Sequence, residues 1–318
     1  MPLNAKLLRL VVCAAVLTGC KANADGSSGA PATSTAEAQR SGDDAPLAEK
    51  TGGFDGKRAF AHVAKQVGFG PRPSGSAAIG QLQEYIQNEL TSYGCKVDTD
   101  SFTADTPVGR LPMKNIVAKI PGEKPGIIML ATHYDTKRLE NFVGADDGAS
   151  STAVMLELAR LLCAKPGSNQ VWITFFDGEE AVKFVWQDPD NRYGSRQMAA
   201  KLAMSGELPK IKAVLLADMV GSRNLRFRRE ADSTKALTDL IWSTAARLGY
   251  SNIFVNESSP TEDDHIIFLK RGVPAVDVIN FEIPYWHTVK DTLDKVSAKS
   301  VAITGHVLLE SVRQLQSK

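Results

Sequence analysis

Residues 126–135 read GIIMLATHYD: a short apolar run with no alternating polar residue, closed by three side chains able to bind metal or move protons. A run of that length and purity is a strand buried on both faces. The same pattern recurs as VWITFFDGEE at 171–180, as AVLLAD at 213–218 and as VPAVDVI at 273–279. In each of the first three, the acids or imidazole lie just beyond the carboxyl end of the run. That is where open sheets of parallel strands bind ligands.

Between these runs the apolar residues recur at helical spacing. Helices are expected over 54–67, 77–93, from about 151 to 162, over 234–248 (stopped by Gly249) and over 296–314. Residues 68–76, GFGPRPSGS, break the first two. Strands are also expected at 96–104 and 115–119. Buried strands alternating with helices predict an α/β fold, a single domain with three α/β/α layers around a central mixed, mostly parallel twisted sheet. No repeat, eightfold-barrel spacing or glycine-rich phosphate loop is present.

The composition sets bounds. The 318 residues carry 37 Lys+Arg against 36 Asp+Glu and are 43% hydrophobic, which suits one substantial core. A net charge of +1 without a basic block excludes a nucleic-acid partner. Four cysteines do not make a disulfide scaffold.

The amino end divides from the rest. Lys6 and Arg9 precede an apolar run at 10–17 that is too short to span a bilayer, so 1–19 reads as an export signal. Leu17-Thr18-Gly19-Cys20 resembles a bacterial lipobox, which implies lipidation at Cys20 and an exported lipoprotein, membrane-anchored and facing the periplasm or cell exterior. Losing Lys6 and Arg9 leaves 35 bases against 36 acids. Residues 20–53 are rich in Ala, Ser, Gly and Thr and read as a flexible tether, with the catalytic domain at 54–318. Cys13 leaves with the signal; for Cys95 and Cys163 both pairing and free thiols stay open.

The polar groups past the strand ends are His133-Tyr134-Asp135, Asp146-Asp147, Asp177 to Glu180, Asp218 and Trp286-His287. Each has an ordinary reading alone. Asp146 is a helix-cap candidate, an adjacent Glu pair is usually a solvated surface, and a His beside a Trp usually packs. Together on one sheet edge they point to a metal site, because zinc takes about three ligands from His, Asp and Glu and keeps an open position.

The motifs HYD (133–135), GADDGAS (144–150), DGEE (177–180), LLADMVG (215–221) and WHTVKDT (286–292) resemble the zinc-dependent exopeptidase superfamily that includes bacterial aminopeptidases. Longer stretches, DGEEAVKFVW, YGSRQMA (193–199) and EDDHIIFLKRGVPAV (262–276), resemble glutaminyl cyclases of the animal type. That resemblance implies one Zn2+ on Asp147, Glu180 and His287, and Glu179 as proton shuttle. It implies Asp218 and Asp263 as supporting catalytic acids and Trp286 and Trp186 as pocket walls. The implied reaction converts the amino-terminal glutamine of peptides to pyroglutamate with loss of ammonia. The alternative is a two-zinc aminopeptidase, in which His133 and Asp218 complete a second metal position that shares Asp147. Two departures from the animal pattern stand out: a shorter loop at 137–143, and no cysteine pair around the Asp147 segment, where Ala131, Thr132 and Thr152 stand.

Overall fold

The computed structural model describes residues 44–317. Its strands are β1 (Lys96–Thr106), β2 (Gly109–Ile120), β3 (Lys124–His133), β4 (Asn169–Phe176), β5 (Ile211–Asp218), β6 (Phe227–Glu230), β7 (Phe254–Ser259) and β8 (Ala275–Ile279). The helices are α1 (Gly56–Val67), α2 (Ala77–Ser92), α3 (Ala149–Ala164), α4 (Tyr193–Met204), α5 (Lys235–Arg247), α6 (His265–Leu269) and α7 (Ala298–Ser317), with 3-10 turns at Ala48–Thr51, Leu208–Lys210 and Leu293–Lys295.

The main sheet runs β1-β2-β4-β3-β5-β8. β1 and β2 form a long antiparallel hairpin, β2 meets β4 antiparallel, and β4, β3, β5 and β8 are parallel neighbours. Side chains alternate across each buried strand. Ile128, Leu130, Val171, Ile173, Ala213 and Leu215 face the layer of α1, α2, α3, α5 and α7. Ile127, Met129, Trp172, Val214 and Leu216 face α4 and α6 on the other side. This is the expected three-layer α/β/α architecture.

Topology then places the chemistry. The chain leaves β3 for β4 on one side and returns to β5 on the other, so a crevice opens at the carboxyl end of β3. The register sets His133 opposite Phe176, and Asp218 opposite Ile279. His133, Asp177, Asp218 and the segment after Ile279 therefore leave the sheet at one edge.

The strand predicted at 115–119 is the inner half of β2, whose outer half carries Pro112 and polar residues. The parallel pair β6/β7 was not foreseen, since FRRE and FVNESS show neither an apolar run nor alternation. The expected tether boundary at Gly53 also needs correction. Residues 48–51 form a 3-10 turn, Thr51 is buried, and the Asp44 carboxylate accepts from Ser297 Oγ at 2.8 Å and Lys299 N at 2.9 Å. Docking against the start of α7 offsets the ordering entropy that the composition could not offset alone. At Gly305 a side chain would strike the ring of Phe54 at 2.2 Å, so a glycine lets the chain just before α1 approach α7 closely.

Cys95, before β1, and Cys163, at the end of α3, form a disulfide with Cα atoms 5.3 Å apart, which resolves the question left open by the sequence. Among the described residues no helix is long and apolar enough to cross a membrane.

Candidate active site

Two carboxylates that the sequence reading left without a role build the frame. Asp135, 1% exposed, accepts the N–H groups of Glu179 at 3.1 Å and Glu180 at 3.3 Å, fixing the turn after β4 to the turn after β3. Asp291 accepts the N–H groups of Asp146 at 2.8 Å and Asp147 at 3.0 Å, clamping the loop before α3. The partners in both cases are backbone groups brought close only by folding, so no residue pattern announces them. Gly148, at φ +83°, follows directly; a Cβ there would stand 2.9 Å from Asp135 O and 3.1 Å from the His133 ring.

Asp146 is not the helix cap that its position suggested. Its Oδ1 accepts from Gly221 N at 2.7 Å and its Oδ2 from Tyr285 OH at 3.1 Å, while Gly148 holds the cap position of α3. Tied between the loops after β5 and β8, Asp146 leaves its neighbour Asp147 to face the crevice.

There Asp147 joins two clusters. Its Oδ2 lies 3.3 Å from His287 Nε2, which in turn lies 3.1 Å from Glu180 Oε1. Its Oδ1 lies 3.3 Å from His133 Nε2, which lies 3.0 Å from Asp218 Oδ1. Within each cluster the donor atoms all fall within 4.8 Å of one another. Donors about 2.0–2.2 Å from a tetrahedral zinc stand roughly 3.3–3.6 Å apart, so both sets fit a divalent ion. Buried Asp147 Oδ2 makes no hydrogen bond, as expected of a group arranged for an ion. Asp135 Oδ1, 3.6 Å behind His133 Nδ1, is placed to orient that ring.

The electrostatics agree. Burial pulls the His287 imidazole down, but Glu180 and Asp147 outweigh it and hold it up at about 10. Burial likewise opposes protonation of His133, and Asp218, Asp135 and Asp147 raise it well above its usual value. Burial would lift Asp147, yet the two imidazoles keep it well below the usual carboxylate range. Burial raises Asp218 to about 7, with Asp147 and Asp263 adding to the rise. Such a crowd of buried carboxylates demands positive charge.

Glu179 belongs to neither cluster. It is 7% exposed, its Oε2 lies 3.8 Å from His133 Nδ1, and burial together with Asp263 and Glu180 pushes it well above the ordinary range. It lines a cavity of about 300 Å³ with Asp147, Glu180, Asp218, Asp263 and His287. Trp286, Phe281 and Trp186 wall the same cavity. Trp286 stacks on His287 with centroids 4.0 Å apart, and Phe281 leans on Trp286 at 4.9 Å. His287 sits at φ +49° and Met219 at +47°, a region non-glycine residues rarely occupy, and both border this cavity. Asp263 is buried, with Oδ1 accepting from Asp264 N and Oδ2 unpartnered. Cys20 lies outside the described residues.

The model of peptidase family M28 matches residues 115–312. The chain is 33% identical over 253 residues to a mouse glutaminyl-peptide cyclotransferase-like protein, covering 70% of this chain and 66% of that one. It is 31% identical to the glutaminyl-peptide cyclotransferase of Drosophila melanogaster, covering 70% of each. The crystal structure of an Acidobacteriales bacterium glutaminyl cyclase superposes with a TM-score of 0.79 at 40% identity, covering 83% of this chain and 95% of that one. With its two clusters, walled cavity and matching order of motifs, the chain belongs to peptidase family M28 and, within it, to the glutaminyl cyclases.

Proposed function

We propose that the protein converts amino-terminal glutamine of peptides to pyroglutamate, using one zinc on Asp147, Glu180 and His287. The observation that carries this reading is Glu179: a buried carboxyl facing the cavity beside a ligand set that does not need it. A zinc ion held by those three residues supplies a Lewis acid that polarises a carbonyl oxygen and stabilises the charge developing on it.

The remaining work falls to the protein. The α-amine of the peptide attacks its own side-chain carbonyl carbon, the C–N bond to the amide nitrogen breaks, and ammonia leaves. No water is consumed. Because the nucleophile is tethered to its target, the walls need only hold the glutamine in the folded conformer. Trp286 and Trp186 give flat apolar surfaces for its methylenes and keep out the water that would yield glutamate. Glu179 takes a proton from the attacking amine and returns one to the departing nitrogen; its raised affinity for protons suits both steps. Asp218 and Asp263 hold protons within the same network.

The cluster of His133, Asp147 and Asp218 favours a second reading, an aminopeptidase with two zincs sharing Asp147. Product masses from a Gln-initiated and a Leu-initiated peptide separate the two. Loss of about 17 Da, the mass of ammonia, without chain shortening supports cyclisation; a freed first residue overturns it. Export, with membrane attachment through a lipid on Cys20, completes the proposal, and globomycin-sensitive processing with mass analysis of the mature amino terminus tests it.

A further inference from the structure

Among the described residues, eight large apolar side chains stand exposed, and five of them, Phe184, Val185, Phe281, Trp286 and Val289, belong to the two loops that wall the cavity. Single exposed apolar residues are ordinary; such a concentration around one opening is not. On one side an aromatic ladder runs outward from the zinc cluster. Trp286 stacks on His287, and Phe281 leans on Trp286 with centroids 4.9 Å apart. Both rings line the cavity, yet both are exposed, Phe281 by 46%, so they reach its mouth. Phe281 also lines a shallow groove that shares Thr261 and Ile279 with the cavity, so the apolar face continues past the rim.

On the other side Phe184 is 75% exposed, and Val185 beside it is exposed too. They directly precede the cavity-wall residue Trp186, and two residues of backbone span at most about 7 Å. The loop that carries them is pinned at both ends. Asp190 accepts from Val182 N at 3.1 Å, Lys183 N at 2.9 Å and Tyr193 OH at 2.7 Å. Asp188 pairs with Arg192 and Arg196. Held out in water by a fixed loop, these side chains contribute nothing to the core.

We infer that the two lips form a subsite for the side chain that follows the amino-terminal glutamine, and that the site prefers peptides with an apolar, above all aromatic, second residue. The inference rests on the cyclase reading above and deepens it by naming the substrate class. The occupant follows from continuity with the cavity. At about 300 Å³ the cavity is at the small end for a ligand site, so it takes the glutamine and leaves the rest of the peptide outside. With the glutamine side chain directed at the zinc, its backbone carbonyl and the residue beyond it emerge at the mouth. There Phe281 and Phe184 offer apolar surface that a second aromatic ring removes from water.

The test compares Gln-Phe-Ala amide with Gln-Ala-Ala amide, following ammonia release and product mass. Wild type should show kcat/KM about tenfold or more higher for the phenylalanine peptide, carried mainly by KM, as partial burial of a phenyl ring allows. Phe281→Ser and Phe184→Ser should each lower that ratio severalfold, and the double variant should bring it close to one. Phe281→Leu should restore most of it. Met204→Ser, which changes an exposed apolar residue at the far end of α4, should leave the ratio as in wild type. If Phe281→Ser does not fold, the fully surface-borne Phe184→Ser is read in its place. A ratio near one in wild type overturns the inference, as does a wild-type ratio in the double variant. In the second case, loss of a dimer by light scattering or of binding to phosphatidylglycerol vesicles assigns the patch to a second copy or to a lipid surface. The two failures separate: pyroglutamate formed without preference sinks the subsite alone, and a freed amino-terminal glutamine sinks the cyclase reading whatever the ratio.

Discussion

The two clusters that share Asp147 have the same chemistry and different settings. Asp147, Glu180 and His287 face the cavity, with Trp286 stacked on the imidazole and Lys137 behind the glutamate. His133, Asp147 and Asp218 are all buried, and His133 lies off the cavity wall, with Asp135 and Glu179 near its other nitrogen. All three members of the first cluster line the cavity, and of the second only His133 does not. On the one-zinc reading proposed above, a constellation of metal-capable residues is not a count of metals, and access to the cavity separates the two sets.

That contrast can be broken by unequal losses. Glu180→Ala should have the broadest effect, losing zinc as well as cutting turnover on the order of 10³-fold or more, since several kcal/mol of charge stabilisation go with the ion. Elemental analysis that finds zinc unchanged would show the ligand to be misassigned. Glu179→Gln should cost about 10²–10⁴-fold in kcat with zinc and fold intact, the usual range for a proton-transfer group; near-wild-type turnover would remove it from that role. Asp291→Asn should weaken zinc about 10–100-fold by loosening the loop that carries Asp147, measured by chelator competition. His133→Ala should cost least in zinc, leaving the first ion in place. If it strips metal as thoroughly as Glu180→Ala, both clusters are metal seats and the asymmetry falls.

Much of this arrangement is legible in the chain because buried strands leave a strong mark. GIIMLA, VWITFF and AVLLA have no polar face to confuse them, and topology requires their ends to converge, so the polar groups at that edge could be named in advance; singling out Asp147, Glu180 and His287 among them took the family resemblance. What escaped detection was held by distant partners. The outer half of β2 and the β6/β7 pair are polar strands stabilised by pairing, with no pattern of their own. Asp135 and Asp291 act on backbone N–H groups, which carry no residue identity. Lys137 lies in the 137–143 loop, and nothing in the sequence marks it as buried, because its inward turn depends on hydrogen bonds to 72–74. Asp146 looked like a cap since capping is what an Asp before a helix usually does; Tyr285 and Gly221, far along the chain, claim it instead.

The bond between Cys95 and Cys163 has a practical consequence. It closes a loop of 68 residues in sequence separation, the kind of cross-link that shrinks the unfolded ensemble by about 4 kcal/mol. Such thiols join only under oxidising conditions. A preparation made in a reducing cytosol would carry the same catalytic edge on a chain deprived of that restraint, and its shelf life would report the expression host as much as the enzyme.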